Sequence, residues 1–212
     1  MRFDEVASTQ DVARQHLADL PVVVSARRQT KGRGRSAGNW LNAPVAMAAS
    51  IAFHPDSGED RPLSLMAGVA AIRMMDGIDL KWPNDLMRHG SKVGGILVER
   101  NEESIVIGMG LNLFWPEAPE GMAAVHDDDP GVAAAHQAAT LWAAEVLALV
   151  DTPGWPVDEY RTACVTLGRE IVWESDGRGR AIDVDEDGAL IVEGDAGRQR
   201  VVAGAIRHVR LV

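Results

Sequence analysis

The spacing of apolar residues changes at Leu167-Gly168, and this change is the sequence feature that most limits the folds open to the chain. Before this point, stretches with helical spacing of apolar residues alternate with apolar runs typical of strands. After it, short β-type runs separated by glycines cover 170–174, 181–184, 189–192, 200–202 and 206–211. Asp187-Gly188 predicts a tight hairpin among them. We therefore predict an α+β protein with one domain over 1–166 and a small SH3-like β-barrel over 167–212.

The first 166 residues predict a mixed set of helices and strands. Ser8-Thr9 offers an N-cap to a helix over 12–20, because a hydroxyl oxygen accepts an orphan helix N–H. Strands are predicted over 22–24, 46–54, 78–82, 92–99 and 105–113, and further helices over 63–75, 133–150 and 156–166. The segments 29–39 and 116–131 are rich in glycine or proline and are predicted to be surface loops.

A basic stretch stands out because the chain as a whole is acidic. The formal net charge is -10, yet residues 27–35 hold five cations and no acid. The net charge argues against a general nucleic-acid or membrane-surface binder, which needs a net basic face. Within the stretch, Gly32-Arg33-Gly34-Arg35 combines glycines that admit close backbone approach with arginine forks that bind phosphate or carboxylate. Taken alone, this string fits an anion site and a solvated loop equally well.

Three further motifs are modest when each is taken alone. Lys81-Trp82-Pro83-Asn84-Asp85 presents two short polar side chains after a strand, although Pro-Asn-Asp also favours a plain turn. Lys92-Val93-Gly94-Gly95-Ile96 opens a strand in which simple alternation would put Lys92, Gly94 and Ile96 on one face. Gly108-Met109-Gly110-Leu111-Asn112 leaves one strand face nearly bare, which suits either a flat ligand or tight packing against a helix.

The order of these motifs resembles the biotin–protein ligase family. Ser-Thr at 8–9, Gly-Arg-Gly-Arg at 32–35, Lys-Trp-Pro-Asn-Asp at 81–85, Lys-x-Gly-Gly-Ile-Leu at 92–97 and Gly-x-Gly-x-Asn at 108–112 follow one another as in that family. The resemblance covers essentially the whole chain, and the second and third motifs are its most specific part. It implies a mixed β-sheet with helices, the class II synthetase-like catalytic domain of biotin and lipoyl ligases, followed by the barrel.

The resemblance also implies a reaction in two steps. Biotin and ATP give biotinyl-5′-AMP and pyrophosphate, and a lysine of a biotin carboxyl carrier protein then displaces AMP. No enzyme nucleophile is needed, which agrees with a sequence that has no obvious Ser-His or Cys-His arrangement. Mg²⁺ is expected to accompany ATP and to be held largely by the phosphates, so no metal site built from protein residues alone is predicted.

The same resemblance assigns roles to individual residues. Lys92 and Arg33 are the implied catalytic residues, with Lys92 between the biotin carboxylate and the α-phosphate. The implied biotin-binding residues are Ser8, Thr9, Gln10, Gln29, Arg33, Gly34, Arg35, Lys92, Gly94, Gly95, Gly108 and Gly110. The implied nucleotide-binding residues are Arg35, Trp40, Lys81, Asn84, Asp85 and Asn112. Trp40 is expected to stack on the adenine or to form a wall beside it.

Two departures from the family pattern qualify these roles. Gln10 stands where the family has Asn after Ser-Thr, and Ala37 and Gly38 stand where it has Gly and Arg. One cation near the nucleotide is therefore missing, so we predict weaker ATP binding or a less ordered loop than in a relative with the full motif. The loss does not by itself predict an inactive protein, because two arginines and Lys92 remain.

Three alternatives stay open: a lipoate-type ligase, a protein of the same fold that binds biotin without turnover, and a nucleic-acid-binding module. The net charge and the lack of aromatic residues within 27–35 weigh against the last. Because the motifs start at Ser8, no N-terminal helix-turn-helix domain and no DNA binding are expected. The chain has one cysteine, no signal-type N-terminus and no apolar run of membrane-span length. These features predict a cytoplasmic protein without membrane contact. Separately, the protein is expected to be a monomer or a homodimer.

Overall fold

The structure, a computed structural model, describes residues 1–35, 38, 40–55, 61–173, 177–195, 197–202 and 209–211. The first sheet consists of β1 (Arg2–Val6), β2 (Val22–Gln29), β3 (Val45–Phe53), β4 (Asp79–Lys81), β5 (Asp85–Arg88), β6 (Ser91–Arg100) and β7 (Ile105–Phe114). The second consists of β8 (Glu170–Trp173), β9 (Gly177–Val184), β10 (Leu190–Gly194), β11 (Gly197–Val201) and β12 (Val209–Leu211). The helices are α1 (Thr9–Gln15), α2 (Leu63–Met74), α3 (Val132–Val150) and α4 (Val157–Ala163). The predicted α+β class is confirmed.

The first sheet is mixed, and both of its faces are covered near the centre. Its strand order is β1-β2-β3-β7-β6-β5-β4, with β1 and β2 parallel and the other neighbours antiparallel. The central strand β3 is buried over 46–52 and consists largely of alanine, which lets helices approach it on either side. The short helix α1 covers part of one face, through a cluster that includes Ala13 and Ala52, while α2 and α3 pack on the opposite face. The uncovered part of the α1 face is the position of the site.

The second sheet is antiparallel and is attached to the first by tryptophan side chains. Its strand order is β11-β10-β9-β8-β12, and Asp187-Gly188 forms the predicted turn between β9 and β10. Gly188 adopts φ 82°, a left-handed conformation that favours glycine. The indole N–H of buried Trp82 donates to the carbonyl oxygen of Gly188 at 3.0 Å, and that of Trp155 donates to Glu186. The strand pairings form an open order, so closure into an SH3-like barrel stays a prediction.

Several element boundaries differ from the sequence-based prediction. Strand β1 was not predicted, because it is mostly exposed and pairs in parallel with β2 without an apolar alternation. Strand β5 was also not predicted, since it follows the Pro-Asn-Asp turn directly. Helix α1 begins after Ser8 as expected but ends at Gln15, and the Ser8 side chain makes no capping hydrogen bond. The last predicted strand is described only as β12, because residues 206–208 lie outside the described part.

One described helix is long and apolar enough, by length and composition alone, to cross a membrane. It is the segment Ala133–Val150 of α3, which contains His136, Gln137 and Glu145 and is therefore not an unbroken apolar run. In the fold this helix packs against α2 and β3, and its Trp142 is fully buried with its indole N–H donating to the carbonyl oxygen of Ala67. Such packing is typical of the core helix of a globular domain.

Candidate active site

A cavity of about 830 Å³ opens on the face of the first sheet that α1 leaves uncovered. Its lining comes from the start of α1, the end of β2, the loop after it, the centres of β3 and β7, the turn between β4 and β5, and the start of β6. One residue, Val172 of β8, reaches it from the second sheet. The motifs that are far apart in sequence therefore meet around one volume, of a size usual for small-molecule sites.

One end of the cavity, which we name the polar end, consists of Ser8, Thr9, Gln10, Gln29 and Ser50, all buried. The backbone N–H and the hydroxyl of Thr9 donate to Gln29 Oε1 at 2.8 and 3.0 Å. The Thr9 and Ser50 hydroxyl oxygens are 2.8 Å apart. Because buried neutral groups that are hydrogen-bonded to one another lose little by leaving water, this end is formed before any ligand arrives.

Gln10 carries an acceptor of this polar end that has no partner. Its amide group donates from Nε2 to the carbonyl oxygen of Leu97 at 2.9 Å, whereas its buried Oε1 has no hydrogen-bond partner. Gly108 makes room for the side chain, since a Cβ there would lie 2.6 Å from Gln10 Nε2. A buried carbonyl oxygen without a donor is costly, so this position suits a ligand that brings an N–H group.

The opposite end, which we name the charged end, contains Arg35, Lys81, Asn84, Asp85 and Lys92. The Lys92 ammonium donates to one oxygen of Asp85, and the other oxygen lies 4.0 Å from Lys81 Nζ. Arg35 donates to Asn84 Oδ1 at 3.4 Å. Burial lowers the pKa of the Arg35 guanidinium from its ordinary value, and the charge of Asp85 partly offsets this. Cations therefore outnumber carboxylates here, as an anionic ligand requires.

A β-bulge sets which glycine of β6 faces the cavity. The pairing of β5 with β6 skips Val93, so Lys92 and Gly95 share the cavity face. A Cβ on Gly95 would lie 3.5 Å from Lys92 Nζ, whereas a Cβ on Gly94 would lie 2.7 Å from the carbonyl oxygen of Gly110. The expectation that Gly94 shares a face with Lys92 is therefore wrong, and Gly94 does not line the cavity. Its role is close packing between β6 and β7.

The bare face of β7 is occupied by protein side chains. A Cβ on Gly110 would lie 2.7 Å from the ring of Trp40, just as one on Gly108 would meet Gln10. Trp40 lines the cavity, and its buried indole N–H has no hydrogen-bond partner. The sequence suggested that the glycines of β7 make room for a flat ligand or for a helix. Instead they make room for the side chains of Gln10 and Trp40, which form part of the cavity wall. Trp40 thus forms part of the cavity wall, while its expected position on or beside the adenine stays a prediction.

The segment predicted as a surface loop over 116–131 supports Lys92 and covers Asn112. Lys92 N donates to the carbonyl oxygen of Gly121 at 2.9 Å, and Ala123 N donates to that of Lys92 at 2.8 Å. Asn112 is fully buried, its amide donates to the carbonyl oxygen of Ala123, and it does not line the cavity. The structure therefore does not bring Asn112 to the charged end, because the segment around Ala123 lies across it.

Arg33 lines the cavity, but its guanidinium is bound to carboxylates outside the charged end. It donates to Asp11 and to Glu99, and the hydrogen bond from Arg33 keeps the pKa of the Asp11 carboxyl below its ordinary value. Gly38 also lines the cavity and is exposed. Ala37, the other departure from the family motif, lies outside the described residues.

Two family models match the chain. Residues 4–112 match the biotin/lipoate A/B protein ligase family, and residues 166–209 match the biotin protein ligase C-terminal domain. The first match alone covers just over half of the 212 residues. The chain belongs to the biotin/lipoate A/B protein ligase family.

Named relatives in this ligase family are similar over most of their length. A biotin--[acetyl-CoA-carboxylase] ligase of Mycobacterium tuberculosis is 32% identical, covering 89% of this chain and 79% of its own. One of Paracoccus denitrificans is 28% identical, covering 86% and 88%. The structure of biotin protein ligase from Aquifex aeolicus in complex with biotin and ATP matches with a TM-score of 0.84 at 22% identity, covering 100% of this chain and 98% of that one. This last likeness establishes the shared fold.

Most residues that the family resemblance singled out meet in the cavity. Those that line it are Ser8, Thr9, Gln10, Gln29, Arg33, Gly34, Arg35, Trp40, Lys81, Asn84, Asp85, Lys92, Gly95, Gly108 and Gly110. Sequence reasoning missed Ser50, although it is the only polar residue of the apolar strand β3 and could have been noticed for that reason. It also missed Val172, for which no local signal exists because the contact comes from the second sheet.

A serine–histidine contact that the sequence did not suggest lies elsewhere in this ligase fold. Ser25 Oγ and His136 Nδ1 are 2.9 Å apart, so the expectation of no Ser-His arrangement is wrong in this respect. Ser25 of β2 is buried where this strand packs against α3, and neither Ser25 nor His136 lines the cavity. Burial, with the charge of Arg2 adding to it, lowers the pKa of the His136 imidazole. The pair acts as a contact between strand and helix.

Proposed function

We propose that this chain is an ATP-dependent ligase that activates biotin as biotinyl-5′-AMP and transfers it to a lysine of a biotin carboxyl carrier protein. The family match and the names of its relatives support this reaction class. In the first step a carboxylate oxygen of biotin attacks the α-phosphorus of ATP, and pyrophosphate leaves. In the second step the lysine amine attacks the acyl carbon and loses a proton as the amide forms, and AMP leaves.

The observation that carries the choice of biotin is the unpartnered oxygen of Gln10 at the polar end. The ureido ring of biotin has two N–H donors and one carbonyl acceptor, whereas the dithiolane ring of lipoate has neither. A ureido N–H would satisfy Gln10 Oε1, which otherwise stays buried without a donor. The hydroxyl group of Ser8 lines the same end and could donate to the ureido oxygen, whereas the Ser50 proton is directed to Thr9 Oγ1, which itself donates to Gln29. This chemistry favours biotin over the lipoate alternative.

The charged end is proposed to hold the carboxylate and the phosphates. Lys92 and Arg35 line it with their cationic groups, so both can compensate the negative charge that accumulates when carboxylate and α-phosphate approach. Lys92 is bound to Asp85 in the ligand-free protein and would exchange that carboxylate for the reacting oxygens. Catalysis then consists of positioning and charge stabilisation, for which no enzyme nucleophile is required.

Mg²⁺ is proposed to enter with ATP. The oxygens of Asp85 and Asn84 at the charged end are hard ligands of the kind that Mg²⁺ prefers. Two such side chains cannot complete an octahedral shell, so the phosphates would supply much of the coordination. When bound, the ion neutralises phosphate charge, while Lys92 and Arg35 orient the same groups.

Biotin-dependent exchange of pyrophosphate into ATP tests this function. The purified chain should catalyse exchange with biotin but not with lipoate, and Lys92→Ala should abolish it. Exchange with lipoate alone would support the lipoate-type ligase, and tight biotin binding without exchange would support a binding protein without turnover. Transfer of labelled biotin to an isolated carrier domain then tests the second step.

A further inference from the structure

Arg33 makes the most complete set of ion-pair contacts around the cavity. Its two terminal nitrogens donate to both oxygens of Asp11 at 2.8 and 2.7 Å. Its Nε and one terminal nitrogen donate to both oxygens of Glu99 at 3.2 Å each. Paired N–H groups facing a carboxylate form the strongest arrangement between these charges, and here one guanidinium makes it twice.

These contacts join three elements of the fold. Asp11 belongs to α1, Glu99 to β6, and Arg33 to residues 30–35, which we name the basic loop. Arg14 of α1 donates to Glu99 at 3.1 Å and to Ser104 at 3.3 Å, so the network continues into the hairpin between β6 and β7. Two cations and two carboxylates balance in charge. The Glu99 side chain is 27% exposed, whereas Arg33 and Asp11 are 37% and 56% exposed, so solvent screens the Asp11 contact more than the Glu99 contact.

The neighbouring arginine of the basic loop points to a different partner. Arg35 is half-buried and donates to Asn84 at the charged end. Arg33 instead uses all three guanidinium nitrogens on protein carboxylates, and its positive charge is already compensated. The two arginines, separated only by Gly34, thus bind different elements: Arg33 binds α1 and β6, and Arg35 binds the turn between β4 and β5.

We infer that Arg33 is a positioning residue: together with Asp11 and Glu99 it fixes the basic loop against α1 and β6, so that Arg35 stays at the charged end. This differs from the catalytic role that the family resemblance implies for Arg33. The inference rests on the proposed function for the ligand that Arg35 meets. Loosening the loop should speed the loss of bound biotinyl-5′-AMP and should also slow its formation in a single turnover, because Arg35 then spends less time at the charged end.

Hydrogen exchange of the ligand-free protein tests the contact network without any chemistry. In the double variant Asp11→Asn, Glu99→Gln, the backbone amides of the basic loop should exchange about 10-fold faster or more. The control Glu5→Gln removes another carboxylate from an arginine, Arg28 at 2.9 Å, but on the exposed edge of the sheet. Equal exchange in the double variant and the control would overturn the inference. The melting temperature of each variant establishes that the fold is intact.

Release of biotinyl-5′-AMP separates positioning from catalysis. Asp11→Asn and Arg33→Met should both speed release by about 5-fold or more and act non-additively, since each removes the same contact. If Arg33 instead acts on the substrate, Asp11→Asn should leave both release and single-turnover adenylation unchanged, whereas Arg33→Met alone should slow adenylation. A parent protein that forms no adenylate would contradict the proposed function, while hydrogen exchange would still decide the role of Arg33.

Discussion

The polar end and the charged end of the cavity differ in what holds their side chains in place. At the polar end Thr9 and Gln29 are neutral, buried and hydrogen-bonded to each other, and a single oxygen of Gln10 stays unsatisfied. At the charged end Lys92 and Asp85 neutralise each other and are both partly exposed. The first arrangement needs only the buried Gln10 amide to turn before it meets a ligand, whereas the second must exchange partners when phosphate arrives. We expect binding selectivity to depend on the first and reaction rate on the second.

The largest effect is expected at the charged end. Lys92→Met removes the ammonium group but keeps the backbone contacts with Gly121 and Ala123. We expect adenylation in a single turnover to fall about 10²- to 10³-fold, the usual loss for one group that stabilises transition-state charge, while biotin affinity changes little. Rapid-quench kinetics measures the rate of adenylation, and calorimetry measures the biotin affinity. Lys31→Met, an exposed cation of the basic loop, is the matched control. A Lys92 variant that adenylates at the parental rate would remove the distinction between the two ends.

A smaller effect, in binding rather than in rate, is expected at the polar end. Gln10→Met keeps the length of the side chain and deletes its acceptor and donor. Biotin affinity should fall about 10- to 100-fold, since the lost hydrogen bonds are worth about 1–3 kcal/mol, and ATP affinity should stay constant. Gln137→Met on the exposed side of α3 is the control. Should Gln10→Met lower the adenylation rate of bound biotin instead, the polar end would also contribute to the chemistry.

The contrast between the ends also explains which site residues could be predicted. Lys92 and Asp85 belong to motifs whose residue types indicate charge chemistry, and both line the cavity, while their roles toward biotin and the nucleotide stay predictions. The prediction that Gly94 shares a face with Lys92 is wrong, because the pairing of β5 with β6 has a bulge at Val93. Such a bulge depends on the neighbouring strand and cannot be predicted from alternation along β6 alone. Asn112 is buried beneath a segment that the sequence predicts as a surface loop, so its contact with the nucleotide stays a prediction.

At the fold level, the strongly patterned elements were predictable and the context-dependent ones were not. The helix at α2 and the hairpin of β6 and β7 carry clear apolar patterns and were predicted within two residues of their bounds. Strand β1 depends on parallel pairing with β2, for which its exposed side chains give no local signal. Contacts made by tertiary structure alone therefore account for what sequence reasoning missed.

The packing of Trp40 against Gly110 in the cavity can be tested with a methyl group. Gly110→Ala would place a Cβ 2.7 Å from the Trp40 ring, so the ring or the strand must move. Overpacking of this kind costs about 1–3 kcal/mol, and we expect a lower Tm together with weaker binding of ATP. Gly95→Ala is the control for stability, because its added Cβ would meet its nearest atoms at 3.5 Å, an ordinary contact. Equal Tm values for the two variants would show that the position of the Trp40 ring does not require a glycine at position 110 of β7.

The smallest effect is expected where the chain lacks a cation of the family motif. Gly38 is exposed, lines the cavity, and would bring an added Cβ within 3.2 Å of the backbone oxygen of Arg35. Gly38→Arg should therefore be tolerated and should lower the KM for ATP about two- to five-fold, the range expected for one solvent-screened charge. Gly38→Gln adds a polar side chain without charge and should leave the KM unchanged. If both variants lower it equally, the gain comes from restricting the loop; if neither does, the charged end already holds enough cations, and the missing arginine does not limit ATP binding.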